Sequence, residues 1–170
     1  ESREEVMECT FGELGDKFMD KEYLKSRLIL AADNAIVYEI NFNMVQELPG
    51  DLKTFKFKSI DTVDNDDQRL DYPVEFLNML NPSGIAEHEL HLKVGAPVIL
   101  LRNINVKAGH FNGTRYIIKE IGKHRLGLEK LGASEDDKNA TLQLPRIPMG
   151  YNPTDMSMSM TRLQFPIKLA

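Results

Sequence analysis

The segment YPVEFLNMLNPSGIAEHELHLKVGAPVILL (residues 72–101) contains, in order, a helix pattern that starts with proline, a turn and a long β pattern. Proline is tolerated in the first turn of a helix, because the backbone N–H that it lacks would have no helical partner there. We therefore predict a short helix over PVEFLNML (residues 73–80), which ends at the turn NPSG (residues 81–84).

Only β patterns follow this turn. Gly- and Asn-containing turns separate short strands, as is typical of a small and strongly bent barrel. The predicted strands lie in HLKVGAPVILLRN (residues 91–103), TRYIIKEIG (residues 114–122), RLGLEKL (residues 125–131) and TLQLPRIPM (residues 141–149). We therefore expect an all-β domain in this half of the chain.

The preceding part of the chain has an α/β pattern. A charged, partly helical lead-in (residues 1–27) is followed by LILAA (residues 28–32), an apolar run typical of a buried parallel strand. Asp33 stands where a helix N-cap is expected. Apolar residues then recur at steps of three and four, namely Ile36, Val37, Ile40, Met44, Val45 and Leu48. This order predicts one βα unit of a doubly wound parallel sheet.

Two segments link the α/β part to the residue 72 helix. TFKFKSI (residues 54–60) alternates polar and apolar residues, which predicts one half-solvated strand. DTVDNDDQRLD (residues 61–71) carries five aspartates but lacks the glycine and closing glutamate of a calcium loop. We predict a solvated acidic loop here, and no metal site.

Charge is distributed unevenly along the chain. The net charge is −5 overall, but residues 1–90 carry −11, and residues 91–131 carry +6. The basic residues of the second range are Lys93, Arg102, Lys107, Arg115, Lys119, Lys123, Arg125 and Lys130. A basic segment within an acidic chain is what a phosphate-binding surface would produce, although a solvated β domain can also be basic by chance.

Residues for catalysis are missing from the sequence. A nucleotide-driven motor needs a glycine-rich phosphate loop that ends in Gly-Lys-Ser/Thr and an acidic Mg²⁺ ligand. The Gly122-Lys123 pair is followed by His124 instead. His88 and His91 have a spacing that would direct their rings to opposite faces of a strand, so we predict surface histidines and no shared metal. We expect no catalytic residue, no metal and no cofactor in this chain.

Three stretches resemble one family, the petite-integration-frequency (PIF) DNA helicases, and in particular their Helitron-transposon branch. They are residues 72–101, NGTR (residues 112–115) and RLQFPIKLA (residues 162–170). The resemblance implies a 5′ to 3′, ATP-dependent motor with two RecA-like domains, the second of which carries an inserted Src-homology-three-like β-barrel. Because the chain begins without methionine and ends in an apolar run, we expect a fragment of such a motor, with ATP and Mg²⁺ bound by the parent protein.

The resemblance also implies domain bounds. A helical lead-in (residues 1–27) would precede the first part of the second RecA-like domain with its acidic loop (residues 28–87). The inserted barrel would follow (residues 88–160), and residues 161–170 would return to the RecA-like sheet as a strand. The fold class is thus a partial parallel sheet with an all-β insertion.

The resemblance further implies DNA-binding residues. In LILAADNAIVYEIN (residues 28–41), Asn34 matches a DNA-contacting turn of the family, whereas Asp33 replaces the usual threonine. Asn112 and Gly113 would form a tight turn. The remaining implied DNA contacts are Lys93, Arg102, Asn103, Thr114, Arg115 and Arg146.

These residues lead to a hypothesis and an alternative. The chain would provide the grip on single-stranded DNA in a helicase of recombination, repair or transposition, next to the first RecA-like domain. The alternative is a standalone nonenzymatic module that binds nucleic acid or protein. A single cysteine and the absence of an 18-residue apolar stretch favour the nucleus or the cytoplasm, away from membranes.

Overall fold

The computed structural model describes residues 3–29, 31, 33–49, 54–65, 71–134, 136–152, 154 and 158–170. Its helices are α1 (Arg3–Phe11), α2 (Leu14–Lys17), α3 (Lys21–Lys25), α4 (Asn34–Glu47) and α5 (Val74–Met79). Its strands are β1 (Phe55–Lys58), β2 (Ile60–Val63), β3 (Glu89–Leu92), β4 (Pro97–Leu100), β5 (Arg115–Ile121), β6 (Arg125–Lys130), β7 (Thr141–Pro145), β8 (Ile147–Tyr151), β9 (Met160–Gln164) and β10 (Ile167–Leu169). Within these ranges no helix has the length and apolar character needed to cross a membrane.

The strands form three sheets. The largest has the order β10-β4-β5-β6-β7, a second has the order β2-β9-β8, and β1 pairs with β3 alone. Every named pairing is antiparallel. The prediction of a small β domain in the second half of the chain is therefore confirmed. The described strands form no closed barrel, however, because the outer strands β10 and β7 of the five-stranded sheet do not pair with each other.

The predicted βα unit is present only as its helix. Asp33 caps α4, because its carboxylate accepts a hydrogen bond from the Ala35 N–H at 2.8 Å. Leu28, Ile29 and Ala31 lie in no strand, and the other two residues of LILAA fall outside the described part of the chain. A parallel strand needs a neighbour for its backbone hydrogen bonds, and the described residues contain no parallel pairing.

Helices α3 and α4 pack against the core of the largest sheet. Leu24 of α3 and Val45 of α4 belong to the same core as Val98 of β4 and Leu126 of β6. The alternation of half-buried and buried residues in β3 and β4 places every second side chain in this core. The fold is thus a β core that is covered by short helices.

Two segments that were each predicted to form one strand contribute to two strands in the structure. TFKFKSI divides at Ser59, so that β1 pairs with β3 while β2 pairs with β9. The Ser59 hydroxyl donates to Asp61 at 2.6 Å and lies 2.8 Å from Nδ1 of His88. Asp61 is thus buried within β2, and its prediction as part of a solvated loop is wrong. The second division is at Arg146, between β7 and β8.

The carboxyl-terminal segment RLQFPIKLA also divides. Its first part belongs to β9, which pairs with β2 and β8, and its last part is β10, which pairs with β4. Phe165 and Pro166 separate the two strands. In the structure this segment therefore joins two antiparallel sheets, where a return to a parallel sheet was expected.

Candidate nucleic-acid interface

The connection between β4 and β5 is a long loop (residues 101–114) with its own hydrogen bonds. A 3-10 turn (Val106–Ala108) lies within it, and the Asn105 side chain accepts a hydrogen bond from the Ala108 N–H at 3.2 Å. Asn105 and His110 form an isolated antiparallel bridge. These bonds give the loop a defined backbone, which holds its Cα positions relative to the sheet.

His110 attaches this loop to the core. It is only 5% exposed, and its Nδ1 lies 2.9 Å from the Tyr116 hydroxyl in β5. Burial, together with the positive charge of Lys130, lowers the pKa of His110 and favours the neutral ring. Burial also raises the pKa of Tyr116 to about 12. A neutral hydrogen-bonded pair therefore holds the base of the loop.

The tip of the loop is a tight turn. The Asn112 N–H donates to the Asn103 side-chain oxygen at 2.9 Å, and the Gly113 N–H donates to the Leu100 carbonyl at 2.8 Å. Gly113 has φ of 90°, a conformation that residues with a Cβ rarely adopt. The Thr114 hydroxyl lies 3.4 Å from the Phe111 nitrogen, so it takes part in the turn itself.

Apolar and cationic side chains project from the same loop. Val106 and Phe111 are 62% and 46% exposed, and Ile104 is also exposed. Arg102 and Lys107 form neither an ion pair nor a hydrogen bond with the described residues. We call these five residues the loop surface. Exposed aromatic and cationic groups side by side can bind a base through its face and a phosphate through its charge.

The other predicted contacts do not join this surface. Lys93 is 5% exposed, and its ammonium donates to the carbonyls of Gln46 and Leu48 at 3.2 and 3.3 Å. The Arg115 guanidinium donates to the Leu24 carbonyl at 3.1 Å, and burial lowers its pKa. Both side chains therefore bond to the protein itself, which argues against a phosphate contact.

Arg146 and Asn34 lie elsewhere. The Arg146 guanidinium donates to the Lys58 carbonyl at 2.9 Å and sits over the rings of Phe57 and Phe165, with centroids 5.5 and 5.3 Å away. Asn34 is the first residue of α4, and its side chain lies outside the described part of the structure. Of the predicted contacts, only Arg102 belongs to the loop surface, while the exposed Asn103 takes part in the turn at the loop tip.

Most of the basic residues in the +6 segment (residues 91–131) are paired with other groups of the protein. Lys119 pairs with Glu129 at 3.1 Å, and Lys130 pairs with Asp137 at 3.4 Å. Arg125 lies 4.0 Å from Glu120. Together with Lys93 and Arg115, five of the eight basic residues thus have partners within the protein. The other three of these eight residues are Arg102 and Lys107, on the loop, and Lys123, on a separate turn.

Sequence reasoning missed the apolar part of this surface. Ile104 and Val106 lie just after the predicted strand that ends at residue 103, in a stretch for which the sequence analysis made no prediction. The sequence does contain a signal for this surface. Ile104 and Val106 are β-branched apolar residues close to Lys107 and Phe111, between two predicted strands. Tyr116, by contrast, is fully buried and offers no ring to a ligand.

A protein-family comparison defines the class to which this region is similar. Residues 75–121 match the family model described as the 2B domain of the DNA helicase Pif1. The matched segment begins in α5, ends in β5 and contains the entire loop surface. The predicted resemblance to PIF-type helicases is thus confirmed over this segment, whereas the Helitron-like branch stays a prediction. Comparison with curated protein sequences gave no match.

Solved structures of particular helicases have a similar fold. Unliganded Pif1 from Bacteroides sp matches with a TM-score of 0.52 and 19% identity, over 81% of this chain and 38% of that chain. Pif1 from Candida albicans matches with a TM-score of 0.51 and 17% identity, over 94% of this chain and 42% of that chain. Bacteroides Pif1 bound to ssDNA matches with a TM-score of 0.51 and 17% identity, over 95% of this chain and 38% of that chain. The chain thus spans about two fifths of the length of these helicases.

Proposed function

We propose that this chain is part of an ATP-dependent 5′ to 3′ DNA helicase and that its loop surface holds single-stranded DNA. The observation that carries the proposal is the exposed ring of Phe111, which lies on the same hydrogen-bonded loop as Arg102 and Lys107. The family match at residues 75–121 contains all three residues. One similar solved structure, Bacteroides Pif1, is described as bound to ssDNA, which supports the choice of ligand.

The chemistry of the loop surface suits an unpaired strand. Arg102 and Lys107 would contact phosphates, which carry no sequence information. Phe111 would stack on one exposed base, a contact that every base can make. In a duplex the base faces are already stacked on their neighbours. The loop surface is therefore expected to prefer single-stranded over double-stranded DNA, without selecting a sequence.

The rest of the motor is proposed from the resemblance alone. The parent protein would bind ATP and Mg²⁺, and its first RecA-like domain would contact this chain. Residues 28–87 would belong to a second RecA-like domain. The parent would act in recombination, repair or transposition, in the nucleus or the cytoplasm. The isolated chain contains no Gly-Lys-Ser/Thr loop, so we expect it to show no DNA-stimulated ATP hydrolysis.

Fluorescence anisotropy with a labelled oligothymidine, measured over a series of salt concentrations, tests the loop surface. The Arg102→Ala/Lys107→Ala variant should bind more weakly, with a salt slope lower by about 0.7 for each lost phosphate contact. The matched control is Lys119→Ala/Arg125→Ala, which removes the same charge from residues that have carboxylate partners. Equal losses in both variants would mean that net charge alone determines binding.

Phe111→Ala tests stacking separately from charge. Loss of one base–aromatic contact should cost about 1–3 kcal/mol of binding free energy, with the salt slope unchanged. Met79→Ala is the control, because Met79 is an exposed apolar side chain outside the loop. If Phe111→Ala binds as tightly as the native chain, the loop surface does not stack on bases.

A further inference from the structure

A cleft of about 690 Å³ separates helix α4 from the segment between α5 and β3. Tyr38 and Phe42 of α4 form one wall, and Asn78 and Asn81 form part of the opposite wall. Its volume lies within the range of about 300–1,000 Å³ that is common for ligand sites. None of the loop-surface residues lines it, so the cleft is a separate feature of the molecule.

The α4 wall of the cleft is aromatic. The rings of Tyr38 and Phe42 are stacked with centroids 6.1 Å apart, and His91 meets Phe42 edge-on at 5.5 Å. Tyr38 is the outermost of the three and remains 41% exposed. The contacts with Phe42 fix the orientation of the Tyr38 ring, while part of its surface stays open to a ligand.

A carboxyl group without a cationic partner lies in the same cleft. Glu87 is half-buried, and in the described part of the chain it forms neither a hydrogen bond nor an ion pair. Burial raises the pKa of Glu87, and the positive charges of Arg162 and of Lys168, which also lines the cleft, only partly oppose this. Burial, and then the charges of Glu87 and Glu89, raise the pKa of Tyr38, so the negative potential of these carboxylates reaches the ring.

We propose that this cleft binds an arginine side chain of a protein partner, with the guanidinium on the Tyr38 ring and paired with the Glu87 carboxylate. A guanidinium is planar, stacks on aromatic rings and carries five N–H donors. The amide oxygens of Asn78 and Asn81, which have no hydrogen-bond partners among the described residues, supply further acceptors. Glu89 is already paired with Lys56 and Lys58, so Glu87 is the carboxylate that remains available to an incoming cation.

The test is a titration of the intact chain with N-acetyl-arginine amide, followed by NMR of the backbone amides. Shifts should concentrate in residues 35–42 and 78–91, with a dissociation constant on the order of millimolar, as expected for so small a ligand. N-acetyl-citrulline amide, which has the same shape without the charge, should bind at least about tenfold more weakly. Binding should also strengthen as pH rises through the titration of Glu87, because the carboxylate is the binding form.

Variants separate the two parts of the site. Glu87→Gln and Tyr38→Ala should each weaken arginine binding about tenfold, by loss of the charged pair and of the ring respectively. Glu120→Gln, which removes an exposed carboxylate outside the cleft, should leave binding unchanged. A thermal melt of each variant checks that the fold is retained.

Three results would overturn the proposal. They are equal binding of citrulline and arginine, undiminished arginine binding in Glu87→Gln, and shifts in the cleft with thymidine monophosphate but not with arginine. The last would assign the cleft to nucleic acid. None of these results bears on the loop surface, because DNA binding by that surface is measured separately with oligothymidine. The proposal for the cleft can therefore be wrong while the proposal for the loop surface is right, and the reverse.

Discussion

Arg162 and Asp61 form an ion pair in which both side chains are fully shielded from solvent, with Nη2 and Oδ2 2.6 Å apart. The Arg162 guanidinium also donates to the carbonyls of Leu77, Leu80 and Ala86 at 2.9, 3.0 and 3.1 Å. The carbonyls at the end of a helix have no partner within the helix. Arg162 therefore ties the end of α5 to strands β2 and β9.

Breaking this pair should strongly destabilise the chain. Asp61→Ala leaves a buried guanidinium without its counter-charge, which typically costs about 3–5 kcal/mol. We expect a loss of this size in the free energy of unfolding, measured by urea denaturation. The matched control is Glu120→Ala, which removes the carboxylate of an exposed pair and should cost no more than about 1 kcal/mol. Similar effects of the two substitutions would show that the Asp61 site is hydrated.

Lys93 should contribute to stability and not to DNA binding. Lys93→Met removes the donor to the Gln46 and Leu48 carbonyls at the end of α4, with an expected cost of about 1–3 kcal/mol. Lys123→Met, at an exposed position, should change stability by less than about 0.5 kcal/mol. Oligothymidine affinity of folded Lys93→Met should equal that of the native chain. If Lys93→Met instead shows a lower salt slope of oligothymidine binding than the native chain, Lys93 contacts a phosphate.

The turn at the loop tip should require glycine. Gly113 has φ of 90°, and the space that a Cβ would occupy there is open, so Gly113→Ala meets backbone strain and no steric clash. We expect a cost of about 1–2 kcal/mol in urea denaturation. Gly150→Ala is the control, because that site is equally open but its φ is not positive. If Gly113→Ala and Gly150→Ala have equal free energies of unfolding, the backbone at residue 113 is in a conformation that alanine adopts without strain.

Acidification should weaken the fold through His110. Its pKa is lowered in the folded protein from the ordinary value of 6.5, so the unfolded chain binds more protons as pH falls through 6.5. The free energy of unfolding should therefore decrease from that pH downward, by at most about 1.4 kcal/mol per pH unit for this group. Urea denaturation at pH 7.5, 6.5 and 5.5 measures the effect.

A variant isolates this contribution from other groups. The raised pKa of Glu87 acts in the opposite direction, because the folded protein then holds the proton more tightly than the unfolded chain. The informative quantity is thus the difference in pH dependence between the native chain and His110→Gln, which retains a polar side chain near Tyr116. Identical pH dependences would mean that His110 does not titrate in this range.

Local patterns predicted several elements correctly. Asp33 before an amphipathic run predicted the start of α4, and the proline at residue 73 predicted the helix that the structure begins at Val74. Capping and proline chemistry act within one turn of the chain, so the sequence contains all of their determinants. The segments predicted as β in the second half also contain strands, since alternation of polar and apolar residues reflects one buried face.

Tertiary structure alone decided which strands pair and which charges remain free. Nothing near Asp61 in sequence indicates that Arg162, 101 residues away, enters the core to meet it. Likewise, the count of basic residues predicted a phosphate-binding surface but could not separate Lys93 and Arg115, which bond to distant carbonyls, from Arg102 and Lys107. Burial and ion pairing depend on contacts between remote segments. The sequence by itself therefore determined the local elements and the family resemblance, whereas the positions of the free cations and of Phe111 follow from how the sheets pack.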